Sequence, residues 1–229
     1  MTSPSPAVLR VALETGIARV AGEGVEIPPG RVDALARYLE LLVDWSNRVN
    51  LVSRRELPAL VEKHLLPSLA PLLSDRLRDR ADDPIRVLDI GSGGGFPGVV
   101  IATVRPRWSV VLVESSRRKT LFLEAAGKSL PNVQVCRKRV ERLVDDPAHQ
   151  GVYALVTARA VAPAQAMWPL ARPLLAPDGE LHVYVRRDSL AAQREELAAA
   201  LPDVSLPDAI EPSWHPGAIL RLRATGIGP

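Results

Sequence analysis

The sequence predicts an α/β fold: a mostly parallel sheet with an antiparallel edge strand, preceded by an N-terminal helical extension. Three observations predict it. From residue 85 onward, short runs rich in Val, Ile and Leu alternate with helix-like stretches, the pattern of strands buried on both faces and joined by crossover helices. The first of these runs stops in a loop where five of the eight residues 91–98 are glycine. Ahead of it, residues 31–48 instead carry apolar side chains at helical spacing. The expected organisation is an extension over 1–80 packed on the core, followed by a Rossmann-like domain over 81–229.

Taken in order, residues 1–30 read as a punctuated lead-in ending in "EIPPG". Pro28-Pro29 suit the start of a helix, where a missing N–H costs nothing. Val32, Leu35, Leu39 and Leu42, widened by Ala36 and Val43, predict a helix from Arg31 to about Arg48. A second helix is expected over 56–73, interrupted or restarted near Pro67, and "SDRLRDRADDP" reads as a polar linker. Strands are expected at 85–90, 109–114, 132–136, 153–158 and 179–185, with helices at 98–104, 116–130, 163–175 and 188–200. The tail "AIEPSWHPGAILRLRA" adds an antiparallel edge strand with a turn at His215-Pro216-Gly217.

Composition excludes several classes. At 229 residues and 47% hydrophobic, the chain can bury a full core. Cys136 is the one cysteine, so no intramolecular disulfide forms, and the four histidines lack ligand spacing, so no metal site is expected. The N-terminus has no apolar signal segment and no run spans a membrane, which predicts a cytoplasmic protein without a membrane partner. A net charge of +3 permits a polyanionic partner without requiring one.

In an open parallel sheet, ligands bind beyond the carboxyl ends of the strands. "VLDIGSGGGFPG", residues 87–98, sits at such an end. Gly93, Gly95 and Gly98 match a dinucleotide fingerprint, but Pro97 places the third glycine at the start of a helix and not inside it. Asp89, Gly91, Gly93 and Gly95 form D-x-G-x-G-x-G instead, the pattern of class I S-adenosylmethionine-dependent methyltransferases. Glu114 ends the second strand, where a carboxylate can accept hydrogen bonds from a ribose. The expected cofactor is S-adenosyl-L-methionine, held by Asp89, Gly91, Gly93 and Glu114.

The blocks "WSNRVNLVS" (45–53), "EKHLLPSL" (62–69), "DIGSGGGFPG" (89–98), "RVE" (139–141) and "ARAVA" (158–162) fall in order and at the spacing of one family. Over about residues 30–190 the chain resembles the RsmG (GidB) family of small-subunit ribosomal RNA guanine-N7 methyltransferases, whose most specific mark here is Phe96-Pro97 after the glycines. The resemblance implies that Gly91, Phe96, Val140 and Glu141 contact the cofactor. It also implies that Arg159 lies at the cofactor's reactive end and Arg139 near the guanine, both as catalytic groups, with the 530 loop of 16S ribosomal RNA in the small subunit as target. The chain departs from the family at Pro67, where aspartate is usual, at Ala154, and at Arg186-Arg187.

No D/N-P-P-Y-type motif follows the fourth strand, where "TARAVAP" stands. That agrees with attack by a ring nitrogen, which has an exposed lone pair, no proton to lose and a need mainly for alignment. Arg117-Arg118-Lys119, Arg137-Lys138-Arg139, Arg159 and Arg186-Arg187 follow four strands and would rim the cofactor face and hold RNA phosphates, while Arg54-Arg55 follow the first helix. His64 and Asn50 read as structural, and Trp45 as packing between extension and sheet. Two alternatives remain open at this level: a small-molecule or non-ribosomal methyltransferase on the same fold, and a catalytically silent RNA-binding assembly factor.

Overall fold

The computed structural model describes residues 3–225. Seven strands form one sheet in the order β3-β2-β1-β4-β5-β7-β6. They are β1 (Arg86–Ile90), β2 (Ser109–Val113), β3 (Val133–Cys136), β4 (Tyr153–Ala158), β5 (Leu175–Arg186), β6 (Val204–Ser205) and β7 (Gly217–Ala224). Strands β1 to β5 are parallel, and β7 runs antiparallel to β5. The chain order reverses between β1 and β4, which sets a switch point at the end of β1.

Helices cover both faces, which is why the buried residues of β1 and β2 are apolar, Asp89 apart. On one face lie α5 (Gly98–Val104) and α6 (Arg117–Gly127), in one hydrophobic cluster with the extension. On the other lie α7 (Glu141–Val144), α8 (Ala164–Ala171) and α9 (Leu190–Ala200). Every residue of α5 is buried, because the extension closes over the side that the sheet leaves open.

The extension differs from expectation in two places. The lead-in contains a 16-residue helix, α1 (Pro6–Ala21), whose N-terminus is capped by the Ser5 side chain with Pro6 in the first turn. Its buried residues Leu9, Leu13 and Val20 follow helical spacing, but exposed Val8 and Val11 blur the stripe in the sequence. Helix α2 (Arg31–Ser46) forms as expected, burying Leu35, Leu39, Leu42 and Val43, and also Tyr38.

The second expected helix is instead a chain of short turns: a 3-10 turn at Leu57–Ala59, a π turn at Val61–Leu65, α3 (Leu66–Leu69) and a 3-10 turn at Ala70–Leu73. Proline explains the break. Pro67 and Pro71 have no N–H to donate, so an unbroken α-helical ladder is impossible there. The linker holds one further turn, α4 (Asp75–Arg78).

At the tail, β7 is not the sheet edge. The two-residue β6 pairs along its outer side, and Ile210 bridges Ile219. Strand β5 also starts earlier than expected, its "APDG" carried as an irregularity opposite Tyr153 and Leu155.

A buried ionic cluster ties β5 and β7 to α4. Arg221 donates to both oxygens of Glu180, at 3.0 and 2.9 Å, and to Asp75, while His182 Nε2 lies 2.7 Å from Glu180 Oε2. Burial pushes the Glu180 carboxyl up, but its bonds to His182 and Arg221 outweigh that and hold it well below the usual range.

Candidate functional site

The glycine loop leaves β1 at its carboxyl end, and Gly91, Gly93 and Gly95 all have positive φ, at 70°, 54° and 89°. Side chains rarely adopt that conformation, which explains the glycines. The loop is held from several sides. The Glu114 carboxylate accepts from Gly93 N at 3.2 Å and from Ser116 N at 2.8 Å. The Ser92 hydroxyl donates to the Asp89 carbonyl at 2.9 Å.

A cavity of about 140 Å³ opens at this end of the sheet, lined by Gly91, Glu114, Arg139, Val140, Glu141 and Val161, among others. Five of the expected site residues therefore meet on one wall. Arg139 is exposed at its mouth, and Val140 and Glu141 begin α7. Val161 was not anticipated. It sits over Gly91, where an added Cβ would stand 2.6 Å from its Cγ2. A larger groove of about 830 Å³ lies beside Asp75, Arg78, Arg221 and Arg223. It has no glycine cradle, and Arg221 is committed to Glu180 and Asp75.

Three expected site residues stand elsewhere. Asp89 lies beneath the loop, fully buried, accepting from Thr157 Oγ1 at 2.9 Å and from Gly98 N at 3.1 Å. Burial raises its carboxyl to about 6 against those two donors. It holds the loop to the start of α5 and lines no cavity wall. The alternation of side chains along β1 decides this, since Asp89 points into the layer of α5.

Phe96 faces the extension. Its ring packs edge-on to Tyr38 at 5.6 Å and tilted against His64 at 5.3 Å. Arg159 also turns to the extension: its guanidinium donates to the Lys63 carbonyl at 2.6 Å and the His64 carbonyl at 3.2 Å, and lies 5.5 Å from the Tyr184 ring centre. The arginine thus ties the residue after β4 to two carbonyls of the extension's π turn. Burial and the Arg159 charge lower the His64 imidazole to about 4, so it is neutral at neutral pH.

The basic residues divide in two. Arg54, Arg55, Arg117, Arg118, Lys119, Arg137 and Arg139 form no ion pair among the described residues, whereas Lys138 pairs with Asp146 at 3.7 Å. At the other end Arg186 pairs with Asp188, and Arg187 pairs with Glu211 at 3.2 Å and donates to the carbonyls of Pro212 and His215. Those two arginines fasten the tail. Of the other departures from the family, Ala154 packs early in β4, far from the loop end. Trp45 packs edge-on to Phe122 of α6 at 5.8 Å.

A family model described as rRNA small subunit methyltransferase G (GidB) matches residues 31–205. The chain belongs to that family. Among curated relatives, the Ribosomal RNA small subunit methyltransferase G of Halorhodospira halophila is 38% identical over 180 residues, covering 77% of this chain and 79% of its own. That of Gluconobacter oxydans is 36% identical, covering 83% and 92%. Among solved structures, a fibrillarin pre-rRNA processing protein of Methanococcus jannaschii superposes with a TM-score of 0.51 at 15% identity, over 64% of this chain and 69% of that one. An MtNAS variant in complex with S-adenosylmethionine superposes at 0.56 with 12% identity, over 86% and 76%. These likenesses show the class I methyltransferase fold. Among the described residues of this methyltransferase, no helix is long and apolar enough to cross a membrane, and no group of His, Cys, Asp or Glu is placed to hold a metal.

Proposed function

We propose that the protein transfers a methyl group from S-adenosylmethionine to N7 of a guanine in the 530 loop of 16S ribosomal RNA, acting on the small subunit in the cytoplasm. The observation that carries this is the cavity at the end of β1, walled by a glycine cradle, Glu114 and Val140-Glu141 and opening beside unpaired arginines. The residues fit the cofactor: Gly91 presents bare backbone to the cavity, where any side chain would run into Val161, and the Glu114 carboxylate lines the same space. In this reading Gly91, Gly93 and Glu114 hold the methionine and ribose parts, while Val140 and Glu141 flank the adenine. Asp89, Phe96 and Arg159 shape the loop and its surroundings from behind. Arg139, exposed at the mouth, meets the guanine.

The cofactor supplies an electrophilic methyl when bound. The protein's part is alignment, because guanine N7 brings its own lone pair and no general base is required. The deciding experiment is a methyl-transfer assay on small subunits purified from a strain lacking the gene. Transfer that maps to a guanine N7 supports the reading. Cofactor binding without transfer to those subunits defeats the ribosomal assignment.

Two expectations follow directly. Glu114→Ala is expected to weaken S-adenosylmethionine binding by roughly 1–3 kcal/mol, the effect of losing charge-assisted hydrogen bonds. Calorimetry reads this, and NAD binding or unchanged affinity would reject the pocket. Replacing Arg117, Arg118 and Lys119 together is expected to reduce the slope of log affinity for RNA against log salt by about two, near 0.7 for each single-strand phosphate contact. Cofactor affinity should stay within about twofold, since none of the three lines the cavity. Replacing Arg186 and Arg187, already neutralised by Asp188 and Glu211, should change the slope much less. Equal effects from both ends would mean that the free cations are merely solvated.

A further inference from the structure

We infer that Tyr38, in the helical extension, is a positioning residue of the cofactor site, its phenol holding the glycine loop in the shape that receives S-adenosylmethionine. The inference rests on the cofactor reading above. Tyr38 is buried, and its hydroxyl donates to the carbonyl of Gly94, also buried, in the middle of the loop. That phenol is the donor the Gly94 carbonyl has among the described residues. The same ring packs edge-on to Phe96 at 5.6 Å and lies 6.4 Å from Phe122 of α6. The approach is close: a Cβ on Gly95 would stand 3.0 Å from the Tyr38 oxygen.

The loop is therefore anchored from three elements. Asp89 of β1 holds Gly98, Glu114 beyond β2 holds Gly93, and Tyr38 of α2 holds Gly94. Gly91, Gly93 and Gly95 make it the segment of the site with the most conformational freedom to lose. Without the phenol, a buried carbonyl has no donor, and the loop can relieve this by turning it to water. The binding-competent shape is then populated only part of the time, and apparent affinity falls by that fraction. Burial pushes the phenol's ionisation well above its ordinary value, so it stays a donor at any working pH.

Tyr38→Phe keeps both ring contacts and removes the hydroxyl. Its dissociation constant for S-adenosylmethionine, read by calorimetry well below the melting temperature, is expected to rise about tenfold, as for a loop competent a tenth of the time. With saturating cofactor, kcat on deletion-strain subunits should stay within about twofold, since no group facing RNA has changed. Leu39→Ala, one residue along the same helix and fully buried, is the control for a purely structural effect. It should lower the melting temperature more than Tyr38→Phe while leaving cofactor affinity unchanged. If Tyr38→Phe binds as tightly as wild type, or if both variants lose affinity in step with stability, the inference is overturned. Wild-type protein that fails to bind S-adenosylmethionine overturns the cofactor reading, and this inference with it.

Discussion

Arg159→Ala is expected to reduce methyl transfer to small ribosomal subunits by about a hundredfold or more, since displacing a reacting group by about an ångström has that effect. The guanidinium bridges two backbone carbonyls of the π turn, Lys63 and His64, and stands against Tyr184, between the end of β4 and the extension. Removing it takes a charged donor from both carbonyls. Charged hydrogen bonds of this kind contribute about 1.5–3 kcal/mol each, so a melting temperature lower by several degrees should accompany the loss. Arg159→Lys keeps the charge but not the planar fork that reaches two carbonyls, and should fall between. Labelled-methyl transfer and thermal unfolding, measured on the same preparations, separate two roles. Lost turnover with an unchanged melting temperature returns Arg159 to the reactive end that the family resemblance implies. Loss of both makes it a positioning residue, and full turnover in Arg159→Ala removes it from the mechanism.

Gly98→Ala is expected to have the largest effect on the fold around the site. A Cβ there would stand 2.2 Å from Leu112 Cδ2 and 2.7 Å from Asp89 Oδ2, contacts no real side chain tolerates. Neither neighbour can yield, because Leu112 and Asp89 are both fully buried in adjacent strands. Overpacking of a closed core costs about 1–3 kcal/mol. For a chain of this size that lowers the melting temperature by roughly 2–4 °C per kcal/mol. The shift also parts Gly98 N from Asp89, so cofactor affinity should drop with stability. A Gly98→Ala protein with wild-type melting and cofactor affinity would show that the α5 start is not packed as described.

Much of this was legible in the sequence. The α/β class, the five parallel strands and the helix at 98–104 follow from apolar period and glycine punctuation, which are local and need no tertiary information. The strand-end position of Gly91, Glu114, Arg139 and Val140 was legible for the same reason: parallel strands present all their carboxyl ends on one edge. Helix α1 was not, because Val8 and Val11 face outward and dilute its stripe. The two-residue β6 carries no periodic signal at all.

Tertiary structure alone decided which way side chains at those strand ends point and what they meet. From sequence, Asp89 and Phe96 read as ligand contacts and Arg159 as a reactive-end group. Packing turns Asp89 under the loop toward Gly98 and Thr157, and turns Phe96 and Arg159 toward Tyr38, His64 and Lys63 of the extension. Likewise, equal runs of arginine at the two ends of the rim became unequal once Asp188 and Glu211 were seen beside only one of them. The physical reason is range. Backbone periodicity is set by neighbours a few residues away, whereas a buried carbonyl or charge takes whatever partner the fold brings near: Arg159 meets Lys63 and Tyr38 meets Gly94 across 96 and 56 residues of chain.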